Sequence, residues 1–320
     1  MTADRITHGT VSFEVARHCN LRCARCDRVS PWMPETFAAV EDFARDFDAL
    51  SAVMDLDCLV FSGGEPLLHP RLVEFFRLTR ERGYARGIVL LTNGVLLHRF
   101  TDEMWRLVDA VEITRYPGVH YKLDPNEVVD IGLRHDVTVA VKDTPVFPQS
   151  LLNDRIEDDG HVEAIFRGCS SSVNLHTVYA GRYFRCIRAH TFDERMERSG
   201  RPERNPEDGL DLHATRDLMP ALAAYLGAER PLAACRYCLA DIGHGFAHVQ
   251  LRRREDIERE KTARHVDYRA LIRPGAELDP SRVARPIPTP PGWWRYDGGS
   301  LYDLIVDDEA EPHATPVAPG

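Results

Sequence analysis

The sequence predicts an α/β protein built around parallel strands, arranged as an open sheet or a barrel. Two patterns carry that reading. Short apolar, β-branched runs alternate with amphipathic helical stretches through the first 145 residues, and each run ends in glycine, cysteine or a hydrogen-bonding residue. Size is the third observation: 320 residues with 43% apolar content can bury a large core and leave chain for a smaller second region.

Taken in order, VSFEVA (11–16) reads as the first strand and EDFARDFDALSAVM (41–54) as a helix with apolar residues at helical spacing. CLVFSGG (58–64) is a buried strand, RLVEFFRLTRERG (71–83) a helix closing on glycine, and GIVLLTNG (87–94) a strand. TDEMWRLV (101–108) is a helix capped by Thr101, AVEITRY (110–116) a strand, 124–134 a helix and VTVAVK (137–142) a strand. The motifs CNLRCARC, GGEP, TNG and RYPG then follow successive strands and share one rim. The C-terminal edge of parallel strands is where such folds build their sites.

Composition narrows the function. A net charge of −10 offers no footprint for nucleic acid or an anionic membrane. The opening MTADRITHGT lacks a signal-peptide core, and no apolar run reaches membrane-spanning length, so a cytoplasmic protein with reduced thiols is expected. Its eight cysteines therefore read as metal ligands, catalytic groups or buried apolar residues. Cys58, opening a buried strand, is a small core residue.

Cys19, Cys23 and Cys26 form C-x3-C-x2-C on the loop after the first strand. Structural zinc takes four protein ligands, and His18, adjacent to Cys19, reaches the same metal poorly. A cubane iron–sulfur cluster held by three cysteines instead keeps one iron open for a small molecule. This motif, with GGEP after the second strand, resembles the radical S-adenosylmethionine superfamily over roughly residues 10–145.

The resemblance implies a partial (β/α)6 TIM-like barrel in which Cys19, Cys23 and Cys26 hold a [4Fe-4S] cluster and S-adenosylmethionine binds its open iron. Gly63, Gly64, Glu65 and Pro66 correspond to the segment at the methionyl amine, the glycines letting backbone approach the ligand. Thr92 and Asn93 fall where the ribose or methionyl group is contacted, and Arg115 where a partner for the carboxylate often stands. One position departs from the pattern: Arg25 replaces the aromatic or aliphatic residue usually found beside the adenine.

Downstream, Cys169-x11-Gly181-x4-Cys186 followed by Cys235-x2-Cys238 resembles the auxiliary-cluster region of SPASM and twitch radical enzymes. No cysteine follows Cys238, which favours the shorter twitch form with one further [4Fe-4S] cluster. Four cysteines also suit tetrahedral zinc, and spacing leaves both open. Twitch relatives such as 2-deoxy-scyllo-inosamine dehydrogenase oxidise a cyclitol alcohol. The resemblance thus implies an oxidoreductase for a small polar sugar or aminocyclitol, supplied with electrons by a flavodoxin- or ferredoxin-type donor. Peptide maturation and redox-neutral epimerisation or dehydration are the alternatives. Only about ten residues precede the first strand, so no N-terminal peptide-recognition domain is expected. Glu14 and Arg188 are the candidate substrate-contacting residues, and His244 and His248 read as structural, within reach of the second cysteine set.

The expected division is a barrel over 1–155, an auxiliary region over 160–248, and a charged helix with a proline-rich tail over 249–320. Within it, 193–213 reads as a long charged loop, 215–227 as a helix and 250–272 as a solvated surface helix. Trp293 and Trp294 are expected to anchor a tail whose last residues are disordered.

Overall fold

Strand β1 (Ile6–Ala16) is the spine of the molecule because its period-two pattern serves two surfaces at once. Val11, Phe13 and Val15 face the main apolar core, while Thr10, Ser12 and Glu14 point the other way. The structure is a computed structural model that describes residues 5–201 and 203–276. The expectations for Trp293, Trp294 and the final acidic stretch lie outside the described residues.

Four β-α units follow β1. Helix α1 (Val40–Ser51), β2 (Met54–Gly63), α2 (Leu72–Arg82), β3 (Ala85–Thr92), α3 (Asp102–Leu107), β4 (Ala110–Arg115), α4 (Pro125–Arg134) and β5 (Thr138–Asp143) alternate as the sequence predicts. Strands β1 to β5 pair in parallel, each with its neighbour. On their helix-covered side Phe13, Phe43, Phe47, Phe61 and Phe75 pack edge to face and tilted, with Phe13 and Phe43 rings 4.9 Å apart. Gly83 at φ 63° ends α2, the Thr101 side chain accepts from Met104 N to start α3, and Asp124 caps α4 ahead of Pro125.

The partial barrel is present, but its sixth parallel strand is not the one next in sequence. β6 (Val146–Pro148) is three residues bounded by Pro145 and Pro148, which cannot donate to a ladder, and it leaves the sheet. Helix α5 (Asp159–Arg167) and the short α6 (Ser171–Asn174) lead instead to β7 (His176–Tyr179), which pairs in parallel with the other edge of β1. β7 then turns into β8 (Arg182–Phe184), and β9 (Gly209–Asp211) completes the sheet order β5-β4-β3-β2-β1-β7-β8-β9. The stretch expected to form the auxiliary region thus continues the barrel sheet through β7, β8 and β9.

Two segments differ from expectation. Residues 193–213 are not one loop: helix α7 (Phe192–Arg198) precedes β9, with Phe192, Arg195 and Met196 buried along one face, a pattern hidden among charged neighbours. The expected 215–227 helix is α8 (Leu218–Leu226). The expected helix over 250–272 shortens to α9 (Arg254–Thr262). Its end is fixed from outside, since the Asn153 amide donates to the Glu260, Lys261 and Ala263 carbonyls at 3.0, 3.1 and 3.2 Å. Before it, β10 (Gly245–Ala247) pairs with β6.

Candidate active site

The cysteine loop leaves the end of β1 and is backed by GGEP. Gly64 N donates to Ala16 O at 2.7 Å and Glu65 N to His18 O at 3.1 Å. A Cβ on Gly64 would lie 2.2 Å from His18 O, and one on Gly63, at φ 141°, 2.1 Å from Ala16 O. The glycines are therefore required by the chain's own backbone, a constraint the sequence reading did not include. Gly64→Ala is expected to lower stability by about 1–3 kcal/mol, as overpacked sites do. Urea unfolding reads this directly, and an unchanged midpoint would contradict the packing.

Glu65 is wholly buried and turned inward. It accepts from Leu67 N at 3.0 Å, Thr92 Oγ1 at 2.7 Å and Asn93 N at 2.8 Å, so GGEP is stitched to TNG. Burial pushes its carboxyl up to about 7 despite these donors. Asn93 Nδ2 reaches Asn20 Oδ1 at 2.7 Å and Cys19 Sγ at 3.4 Å. Arg115 forms a two-pronged pair with Asp143 at 2.6 and 2.7 Å, so its guanidinium already has a carboxylate partner. Arg25, at φ 59°, lays its guanidinium 3.9 Å over the Phe246 ring.

The second cysteine set comes from three places. Cys169 follows α5, Cys186 follows the β7–β8 hairpin whose turn needs Gly181 at φ 74°, and Cys235 and Cys238 flank a tight turn. That turn is held by Asp208, which accepts from Ala233 N at 2.6 Å and Ala234 N at 2.7 Å. All four cysteines line one pocket together with Arg188. Backbone amides already point at sulfur: Arg188 N lies 3.4 Å from Cys186 Sγ and Ala240 N 3.2 Å from Cys238 Sγ. Among the described residues, no group of three or more His, Cys, Asp or Glu side chains is arranged for a single metal ion.

A buried charge network lies beside these sets. Glu14 pairs with Arg28, stands 2.9 Å from His190 Nε2 and 3.5 Å from Arg17 Nε, and Arg17 in turn meets Glu194 at 2.9 Å. Burial penalises the Glu14 charge, but His190, Arg28 and Arg17 outweigh it and hold the carboxyl well below the usual range. Burial lowers His190, while Glu14 beside it pulls the other way. Arg188 joins the cysteine sets: two residues after Cys186, it reaches Asp27, the neighbour of Cys26, at 3.4 Å and Ser171 Oγ at 3.0 Å. Sequence reasoning missed Asp27, Arg28 and His190. The first two were legible as charges beside the third rim cysteine; nothing local marks His190. His248 contacts Cys23, not the second set, because β10 carries the chain back to the first loop.

Residues 13–117 match the Radical SAM superfamily model, and the chain carries a radical SAM domain. Proteins of that superfamily use S-adenosylmethionine and a [4Fe-4S] cluster. The chain is 39% identical over 93 residues to a tungsten-containing aldehyde ferredoxin oxidoreductase cofactor-modifying protein of Pyrococcus furiosus, covering 28% of this chain and 24% of that one. It is 36% identical over 115 residues to a GTP 3′,8-cyclase of Chlorobaculum tepidum, covering 36% and 32%. The match thus spans about a quarter to a third of these curated relatives. Among solved structures it is similar to BtrN in complex with AdoMet and 2-DOIA, with 20% identity, TM-score 0.42, and 58% and 75% of the two chains covered. Streptococcus suis SuiB bound to precursor peptide SuiA aligns at 10% identity and TM-score 0.35, covering 72% and 69%. Among the described residues no helix is long and apolar enough to cross a membrane.

The donor chemistry fits iron–sulfur clusters. Burial, above all, pushes Cys23 up to about 11, Cys19 up to about 12 and Cys26 higher still, and it raises all four downstream thiols. Ligation by cationic iron supplies the charge that lets such buried thiols ionise.

Proposed function

We propose that the chain is a twitch-type radical S-adenosylmethionine oxidoreductase that oxidises a secondary alcohol of a sugar or aminocyclitol. The observation that carries this reading is the second cysteine set, four buried or half-buried thiols on the wall of one pocket, tied to the first loop through Arg188 and Asp27. Residues 1–155 form the radical domain and 160–248 the auxiliary region. Cys19, Cys23 and Cys26 would hold a [4Fe-4S] cluster open at one iron. The segment Gly63–Pro66, with Thr92, Asn93 and Arg115, borders the S-adenosylmethionine site. Cys169, Cys186, Cys235 and Cys238 would hold a second [4Fe-4S] cluster. Together these cofactors supply hydrogen-atom abstraction from carbon and a second electron acceptor.

The chain's own groups set the surroundings. A general base works best with a pKa near the operating pH, and Glu14 is held far below it. Glu14 thus anchors Arg28 and Arg17 and is not the proton acceptor, while Arg188 positions the wall between the cysteine sets. The physiological reductant is a flavodoxin or ferredoxin. When S-adenosylmethionine, a low-potential reductant and a panel of sugars and aminocyclitols are combined without oxygen, one 5′-deoxyadenosine is expected per ketone formed. Cleavage with an isomerised or dehydrated product would replace oxidation by redox-neutral chemistry, and modification of peptides alone would mark a maturase.

A further inference from the structure

Residues 248–251 run as an extended strap against the cysteine loop. Ala24 N donates to Val249 O at 2.9 Å and Leu251 N to Arg22 O at 2.7 Å, placing Gln250 opposite Cys23. The strap is anchored behind by β10 on β6 and by His248 N donating to Pro145 O at 2.8 Å. The loop is also held by Glu260 of α9, which accepts from Arg25 N and, at 3.2 Å, from Trp32 Nε1. The Gln250 side chain has one orientation that satisfies its neighbours. Its Oε1 accepts from Arg22 N at 2.7 Å, which turns Nε2 toward Cys23 Sγ at 3.2 Å and His248 Nε2 at 3.0 Å. The His248 ring hydrogen-bonds the Pro117 carbonyl, so in the neutral ring Nε2 is left as an acceptor for the second Gln250 N–H. Nε2 also stands 3.2 Å from Cys23 Sγ, a contact to which the free thiol contributes the proton.

We infer that Gln250, oriented by Arg22 and His248, is a positioning residue whose N–H···S hydrogen bond to Cys23 sets the reduction potential of the cluster held by the first cysteine loop. The inference rests on the reading of Cys19, Cys23 and Cys26 as cluster ligands. Hydrogen bonds to ligating sulfur stabilise the more negative, reduced state and raise the potential. β10 begins seven residues after Cys238 and the strap follows it directly, so the same segment that leaves the second cysteine set furnishes the first with its donor.

The test is a redox titration of reconstituted full-length protein, following by electron paramagnetic resonance the reduced signal that S-adenosylmethionine perturbs. Two variants separate hydrogen bonding from shape and charge. Gln250→Met keeps the bulk without a donor; Gln250→Glu keeps the acceptor for Arg22 N without a donor. Both are expected to shift that midpoint to lower potential with iron per chain unchanged. An unmoved midpoint in Gln250→Met, a shift in Gln250→Glu alone, or loss of iron from both variants would overturn the inference. If the native protein itself gives no signal that S-adenosylmethionine perturbs, the cluster reading beneath it fails first.

Discussion

Replacing Cys19, Cys23 and Cys26 together by alanine is expected to abolish formation of 5′-deoxyadenosine, leaving no product above the no-enzyme background. The reason is the loop's construction. Each thiol is buried or half-buried, and the loop is pinned by GGEP on one side and the 248–251 strap on the other. Alanine removes the ligands yet leaves the backbone bonds, so the variant should stay folded. Chromatography of the anaerobic reaction and circular dichroism of the same sample read both quantities. Residual cleavage at more than a trace would contradict the assignment of these thiols.

The second large effect is on stability. Glu14→Ala removes the carboxylate that the buried Arg17 and the half-buried Arg28 share, leaving Arg17 with Glu194, and breaking such a pair from one side costs about 3–5 kcal/mol. The folded Glu14 pKa lies below the unfolded value of about 4.3, so its stabilisation is complete above that value and is lost as pH falls through the folded one. The gap between native protein and variant should stay constant above about pH 5 and narrow in acid. A gap below about 1 kcal/mol at pH 7, or one that widens in acid, would show that the charge is not held by the guanidiniums.

How much of this was legible in the sequence depended on whether a contact was local. Strands β1 to β5 were readable because apolar runs and helical periods alternate there, and the strand-end motifs then fell on one rim without further information. The pairing of β7 with β1 was not readable, since a strand's choice of edge is settled by the whole sheet and by prolines that disqualify β6. Charge hid α7, because the buried residues Phe192, Arg195 and Met196 are outvoted by their polar neighbours. The glycines of GGEP were found, but one of their causes was not: a side chain there would clash with Ala16 and His18, across a turn no spacing rule describes. Gln250 carries no sequence signal at all. It matters only because the chain returns from Cys238 to lie beside Cys23, 227 residues earlier than Gln250.

The central claim is that this chain builds two iron–sulfur sites, one on each cysteine set. Iron and acid-labile sulfide per chain, measured after oxygen-free reconstitution of the native protein and of the variant lacking Cys19, Cys23 and Cys26, test it most directly. About eight irons falling to about four is the predicted result, as two cubane clusters require. About four falling to none, with zinc retained in the variant, would contradict it and leave Cys169, Cys186, Cys235 and Cys238 as a structural metal site.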